Sequence, residues 1–268
     1  MATNTPVPYE PEEAPEVLHH VKLNVTRSAL DVRDYIMGDD ILDDTTATPP
    51  AHIIPKVAPV YDQGHEGSCT ANGYAGMYRT ELLRLGRPDV DVSRAFIYYE
   101  ERKRENQTGE DNGAAPRDGA LVLKDEGVCK EALMPYVAGN FTVAPDADAY
   151  ADAANQKISA FYRVPGLIAA KHALAKDRPV GLAMLVFQGM MASKNGVIPV
   201  PDVTEQPLGG HWVYVIGYTD DATWPGGGYL QVRNSWGAGA GDGTGMYFLP
   251  YQMAGNNQIC LEMWMIVL

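Results

Sequence analysis

The spacing of hydrophobic positions changes character part-way along the chain. From Ser68 to about Leu85, the residues Ala71, Tyr74, Ala75, Tyr78, Leu82 and Leu85 recur at helical intervals, and Gly86 and Pro88 close the run. A second helix is predicted over "SRAFIYYEERKREN" (Ser93 to Asn106), with the Ser93 hydroxyl placed to cap its first turn. "RDGALVLKDEG" (Arg117 to Gly127) and "LIAAKHALAKD" (Leu167 to Asp177) predict two more. The second half reads as strands: "PVGLAMLVF", "HWVYVIGYT", "GYLQVRNSWG" and "GMYFLPY" are rich in β-branched and aromatic residues, with glycine clusters between them that suit hairpins and bulges. Helices first and antiparallel strands afterwards predict an α+β fold of two lobes, helical and then β, with a cleft where they meet.

The first fifty or so residues follow neither pattern. Proline is frequent there, and acids from Glu10 to Asp44 face only Lys22, Arg27 and Arg33, so roughly half of the net negative charge sits in a stretch unsuited to building a core. This divides the chain into an acidic extension, 1–55, read as an arm on the main domain or a mobile tail, and a main domain, 56–268. "TTATPPAHIIP" (Thr45 to Pro55) reads as the connector, since Pro49 and Pro50 favour extended backbone.

With 268 residues, 46% of them hydrophobic, the chain can bury a substantial core. A formal net charge of -13 argues against a nucleic-acid surface and against docking to anionic lipid; peptides, neutral ligands and basic partners remain. Neither a targeting signal nor a long apolar span is evident, so the expected location is cytoplasmic or particle-associated. Cys69, Cys129 and Cys260 are an odd number in separate contexts, without disulfide or zinc spacing, and no cofactor or metal is expected.

One stretch carries candidate chemistry. In "VYDQGHEGSCTANGYAG" a polar, glycine-rich loop becomes a helix at Cys69. A cysteine after "GS" is more often packing than chemistry, because thiols are among the most buried groups. A helix N-terminus, however, favours a thiolate, and a nucleophile attacking a carbonyl also needs donors for the oxyanion. The Gln63 side chain and the Cys69 backbone N–H are suited to that purpose. A base and its orienting group are expected elsewhere: "LGGHWVYVIGY" puts His211 at the start of a strand, and "VRNSWG" puts Asn234 at the end of another. Paired as neighbours, these strands would set the Asn234 amide oxygen against one imidazole nitrogen and leave the other for sulfur, with Trp236 shielding the bond. His65, on the same loop as Gln63, is the rival base but has no orienting partner in view, and His19 and His20 read as solvated tail.

These residues, in this order, resemble papain-like cysteine peptidases, above all a compact bacterial and viral branch with "PVYDQGxxGSCTAN", "GGH" and "RNSWG" motifs. "VRDY", "FIYYEER", "DNGAAPRDGA", "GVCKEALMPY", "GVIPVP" and "FLPY" match that branch as well. The resemblance implies a two-lobed fold with a helical N-terminal lobe and an antiparallel β-sheet or barrel C-terminal lobe. It also implies an endopeptidase with Cys69 as nucleophile, His211 as base, Asn234 as orienting residue and Gln63 as oxyanion donor. Gly113 and Trp236 fall at substrate-side positions, and the expected partner is a peptide or protein substrate. Two other roles are compatible with the same fold, namely a structural or interaction component, as of a virus or phage particle, and an acyl-transfer or cell-wall peptide hydrolase. The acidic extension is a candidate prosegment. In the better-known papains a disulfide cysteine stands where this chain has Glu66, and a small residue where it has Trp212, which is expected to narrow the cleft.

Overall fold

A computed structural model describes residues 21–38, 48–193 and 195–268. The predicted helix after Ser68 runs Cys69–Arg84 (α1) and is buried along nearly its whole length. Its small residues are why the strands can lie against it: a Cβ on Gly73 would reach 2.4 Å from the Trp212 indole, and one on Gly76 would reach 2.6 Å from the Tyr214 ring. Alongside it run Arg94–Arg104 (α2), whose first turn donates from Phe96 N–H to the Ser93 hydroxyl, and Pro116–Asp125 (α3). Ala147–Ala153 (α4), Leu167–Leu174 (α5) and the single turns Gln188–Met191 (α6) and Tyr251–Ala254 (α7) complete the helices of the described residues.

The strands are Ala51–Ile53 (β1), Ala160–Arg163 (β2), Val180–Val186 (β3), Gly209–Asp220 (β4), Gly228–Arg233 (β5), Met246–Pro250 (β6) and Cys260–Val267 (β7). They form one antiparallel sheet in the order β2-β7-β3-β4-β5-β6, with β1 added against β4. The long β4 pairs through its first half with β3 and through its second half with β5, so its N-terminal end projects beyond β5 toward the helices. One hydrophobic core joins α1 to the inner face of the sheet. A smaller cluster of Phe96, Val122, Cys129, Ala149 and Ala153 ties α2, α3 and α4 together.

Three strands fall outside the predicted set. The connector before Pro55 contributes β1, which pairs Ala51 with Thr219 and Ile53 with Gly217. Strand β7 is a near-continuous apolar run because it is buried on both faces, and such a run has no period to read. The charged run "EERKREN" is interior at its start: Glu100, Glu101 and Arg102 are buried, and the Arg102 guanidinium lies over the Tyr98 ring, 4.1 Å from its centroid. Cys129 and Cys260 are buried free thiols. Among the described residues no helix is long and apolar enough to cross a membrane. His19 and His20 lie outside the described residues.

Candidate active site

Cys69 opens α1 and is 1% exposed. The preceding Ser68 does not cap the helix with its side chain, and the Thr70 amide of the first turn is left to the sulfur. Burial pushes the Cys69 thiol up to about 12, opposed by the backbone N–H of Trp212 and by those of Thr70 and Cys69 itself. The Trp212 amide places the sulfur next to the residue after His211. Upstream, the loop from Tyr61 pairs with the segment after β5: Gln63 N–H donates to Ser235 O at 2.8 Å, and Asp62 bridges Trp236. The Gln63 side chain is completely buried, its oxygen accepting from the Ser235 hydroxyl at 2.6 Å and its nitrogen donating to Glu66 O at 2.9 Å. One amide hydrogen remains for a further acceptor.

His211, the third residue of β4, meets Asn234, the residue after β5, because β4 and β5 are antiparallel neighbours and Tyr214 opposes Arg233. The imidazole Nε2 lies 2.8 Å from Asn234 Oδ1, and the same oxygen accepts from Ser235 N–H at 2.7 Å. That second bond decides the tautomer. A backbone N–H can only donate, so the Asn234 atom is oxygen, Nε2 carries the hydrogen, and Nδ1 presents a lone pair that has no partner. Trp236 stacks on the imidazole with centroids 4.8 Å apart and is 4% exposed, so its surface goes to the histidine rather than to solvent. Burial depresses the His211 imidazole to about 4, against the Asn234 bond. Thiol and imidazole are thus both neutral in this covered state.

A model of the papain family of cysteine proteases matches residues 51–263. This chain belongs to that family. Among its relatives, an uncharacterized peptidase C1-like protein of Acanthamoeba polyphaga mimivirus is 32% identical over 227 residues, covering 80% of this chain and 71% of the viral one. Cysteine proteinase 3 of Solanum lycopersicum is 28% identical over 200 residues, 69% of this chain and 51% of its own. Among solved structures, xylellain, a cysteine protease from Xylella fastidiosa, superposes with a TM-score of 0.83 at 31% identity, covering 92% of this chain and 96% of its own. The α+β architecture of this protease is therefore the papain-like one.

Residues 22–28 pass between the start of β4 and the loop of Asp111 and Gly113. Val25 N–H donates to Gly210 O at 3.0 Å, one residue before His211, and Asn24 bridges Gly210 in parallel. On the opposite wall a Cβ on Gly113, whose φ is +78°, would come within 2.9 Å of Asn24 Cβ, and Lys22 Nζ pairs with Asp111 at 2.6 Å. Gly113 thus lies against Asn24, whose neighbour Val25 bonds Gly210. Farther on, Ser28 N–H donates to the buried Glu262 carboxylate at 2.7 Å, and Arg117 holds Asp34 and Asp31 at 2.8 and 2.9 Å. His65 is exposed on its loop. Trp212 does not narrow the cleft: side chains alternate along β4, so with His211 facing the site the indole turns into the core, fully buried and stacked on Tyr74. Sequence reasoning missed Ser235 and Tyr136, which hold Gln63; only their place within matched motifs set them apart.

Proposed function

We propose that this protease is an endopeptidase with Cys69 as nucleophile. His211 Nδ1 takes the thiol proton, and the sulfur adds to the peptide carbonyl carbon while the C=O pair moves to oxygen. The oxyanion is held by the free Gln63 amide hydrogen and the Cys69 backbone N–H. The imidazolium then protonates the leaving amine as the C–N bond breaks, and water, deprotonated by His211, hydrolyses the thioester and restores the thiol. Asn234 keeps the tautomer and orients the ring. The observation that carries this reading is the doubly bonded Asn234 oxygen, which leaves the lone pair of His211 free in the pocket where Cys69 begins a helix. Gly113 offers its backbone to substrate in place of Asn24. The intact constellation supports turnover over a purely structural role.

The same geometry supports a latent state. Residues 21–28 occupy the groove between Gly113 and Gly210 that a substrate would need, so the 1–55 extension acts as an inhibitory segment on the 56–268 protease until it is displaced or cut. Intact-mass labelling with the epoxide E-64, on the wild type and Cys69→Ala, tests the reading. A single adduct mapped to Cys69 and absent from the variant is expected; an adduct or peptidase activity retained by Cys69→Ala would overturn it.

A further inference from the structure

Both proposed oxyanion donors stand on one short loop, the Gln63 side chain at its start and the Cys69 N–H at its end. Preorganised donors stabilise a developing charge only if their spacing is held within a few tenths of an ångström, so something must brace this loop. No disulfide does so, because all three cysteines are free.

One hydroxyl touches both ends. Tyr136 O–H donates to Gln63 O at 2.9 Å and lies 2.5 Å from Ser68 Oγ, immediately before Cys69. The direction of this chain follows from its members: Asn72 Nδ2 donates to Ser68 Oγ at 3.1 Å and to Ser68 O at 2.8 Å, the serine hydroxyl donates to Tyr136, and Tyr136 donates to Gln63. Hydrogen bonds in such a series polarise one another, and this one is buried at Gln63, Ser68 and Asn72 and half-buried at Tyr136. Arg94 seats the tyrosine. Its guanidinium carbon lies 4.1 Å from the Tyr136 ring centroid and 4.4 Å from that of Tyr61, while Nη1 donates to Asp62 O at 3.1 Å and Asn72 Oδ1 at 2.9 Å.

We propose that Tyr136, clamped by Arg94, is the positioning residue that sets the distance between the two oxyanion donors. The inference rests on the Cys69 reading above. It assigns Tyr136 no contact with substrate; the residue acts through Gln63 and Ser68.

Tyr136→Phe keeps the ring on Arg94 and removes the bridge; Ser68→Ala removes it from the other end. Each should lower kcat about tenfold with KM unchanged. Affinity for a peptide aldehyde, which leaves an oxyanion when the thiol adds to it, should fall equally, while affinity for the corresponding alcohol stays constant. The double variant should be no worse than either single one. In the full chain, whether or not it turns over, amide hydrogen exchange between Gln63 and Cys69 should quicken at least tenfold while the β3 to β5 amides hold their rates. Unchanged exchange in the loop, an activity loss under twofold, equal losses for aldehyde and alcohol, or multiplying losses in the double variant would each overturn the inference. Activity retained by Cys69→Ala would instead bring down the reading of the site, which the exchange data do not touch.

Discussion

Replacing Asp34 by alanine should release the segment that crosses the cleft. Its carboxylate is 4% exposed, accepts from Arg117 Nε at 2.8 and 3.0 Å, and has Arg163 at 3.7 Å. Removing one partner of a fully buried ion pair costs about 3–5 kcal/mol. Arg117 is 18% exposed and keeps Asp31 at 2.9 Å, so solvent and the second acid absorb part of that cost. About 2 kcal/mol is the reasonable share, which corresponds to roughly a 30-fold rise in the open population. While that population is small, the rate at which E-64 labels Cys69 follows it in proportion. The assay is the second-order labelling rate of the full chain by intact mass, wild type against Asp34→Ala. A chain beginning at Thr48, which keeps β1, supplies the ceiling. Thermal unfolding of the variant separates unlatching from general loss of structure. A labelling rate within threefold of wild type, with the truncated chain much faster than both, would refute the claim that this ion pair latches the segment. A truncated chain no faster than wild type would refute the occlusion itself.

Further outcomes follow from the interior. Asn234→Ala removes the acceptor of a bond to a ring that becomes charged, worth about 1.5–3 kcal/mol, so kcat/KM on a peptide substrate should fall roughly 10- to 100-fold; a loss under threefold would leave the orienting role unsupported. His211 takes up its proton near 6.5 when unfolded and only near about 4 when folded. Its stabilising contribution is therefore complete above pH 6.5 and lost as pH falls toward 4, and His211→Gln should flatten the change in urea-unfolding free energy between pH 7 and 4.5 by about 2 kcal/mol. Burial raises the Glu101 carboxyl well above its ordinary range, with one oxygen on the Thr70 hydroxyl and the other unpartnered. That contribution has the opposite sign: it is complete below about pH 4.5 and lost as pH rises, so Glu101→Gln should stabilise at pH 8 and not at pH 4; equal shifts at both would contradict it. Trp212→Ala empties a fully buried site bordered by Gly73 and Gly181 and should cost about 3–5 kcal/mol, readable as a lowered unfolding midpoint.

The α1 register was legible because a helix buried on most sides still shows its ends: Ser68 before it, Gly86 and Pro88 after it. Strands β3 to β6 were legible because short apolar runs stand between glycine clusters. β1 hid in a proline-rich connector, since its pairing partner lies more than a hundred residues away and leaves no local mark. The burial of charged residues on α2 leaves no local mark either. Charge along a helix suggests water, and only the packed structure reveals that Glu101 and Arg102 face inward, the guanidinium on backbone carbonyls and the carboxyl half-satisfied by Thr70.

The residue types and order at Gln63, Cys69, His211 and Asn234 were available from sequence, because chemistry of this kind restricts which side chains can appear beside glycine turns and strand starts. Tertiary structure alone decided the rest. The tautomer of His211 depends on Asn234, held by the Ser235 amide; the proposed spacing of the oxyanion donors rests on Tyr136 from another loop, and the proposed occlusion on where residues 21–28 lie. The His211–Asn234, Tyr136–Gln63 and Val25–Gly210 contacts behind these join separate segments of the chain, and such contacts exist only once the chain has folded.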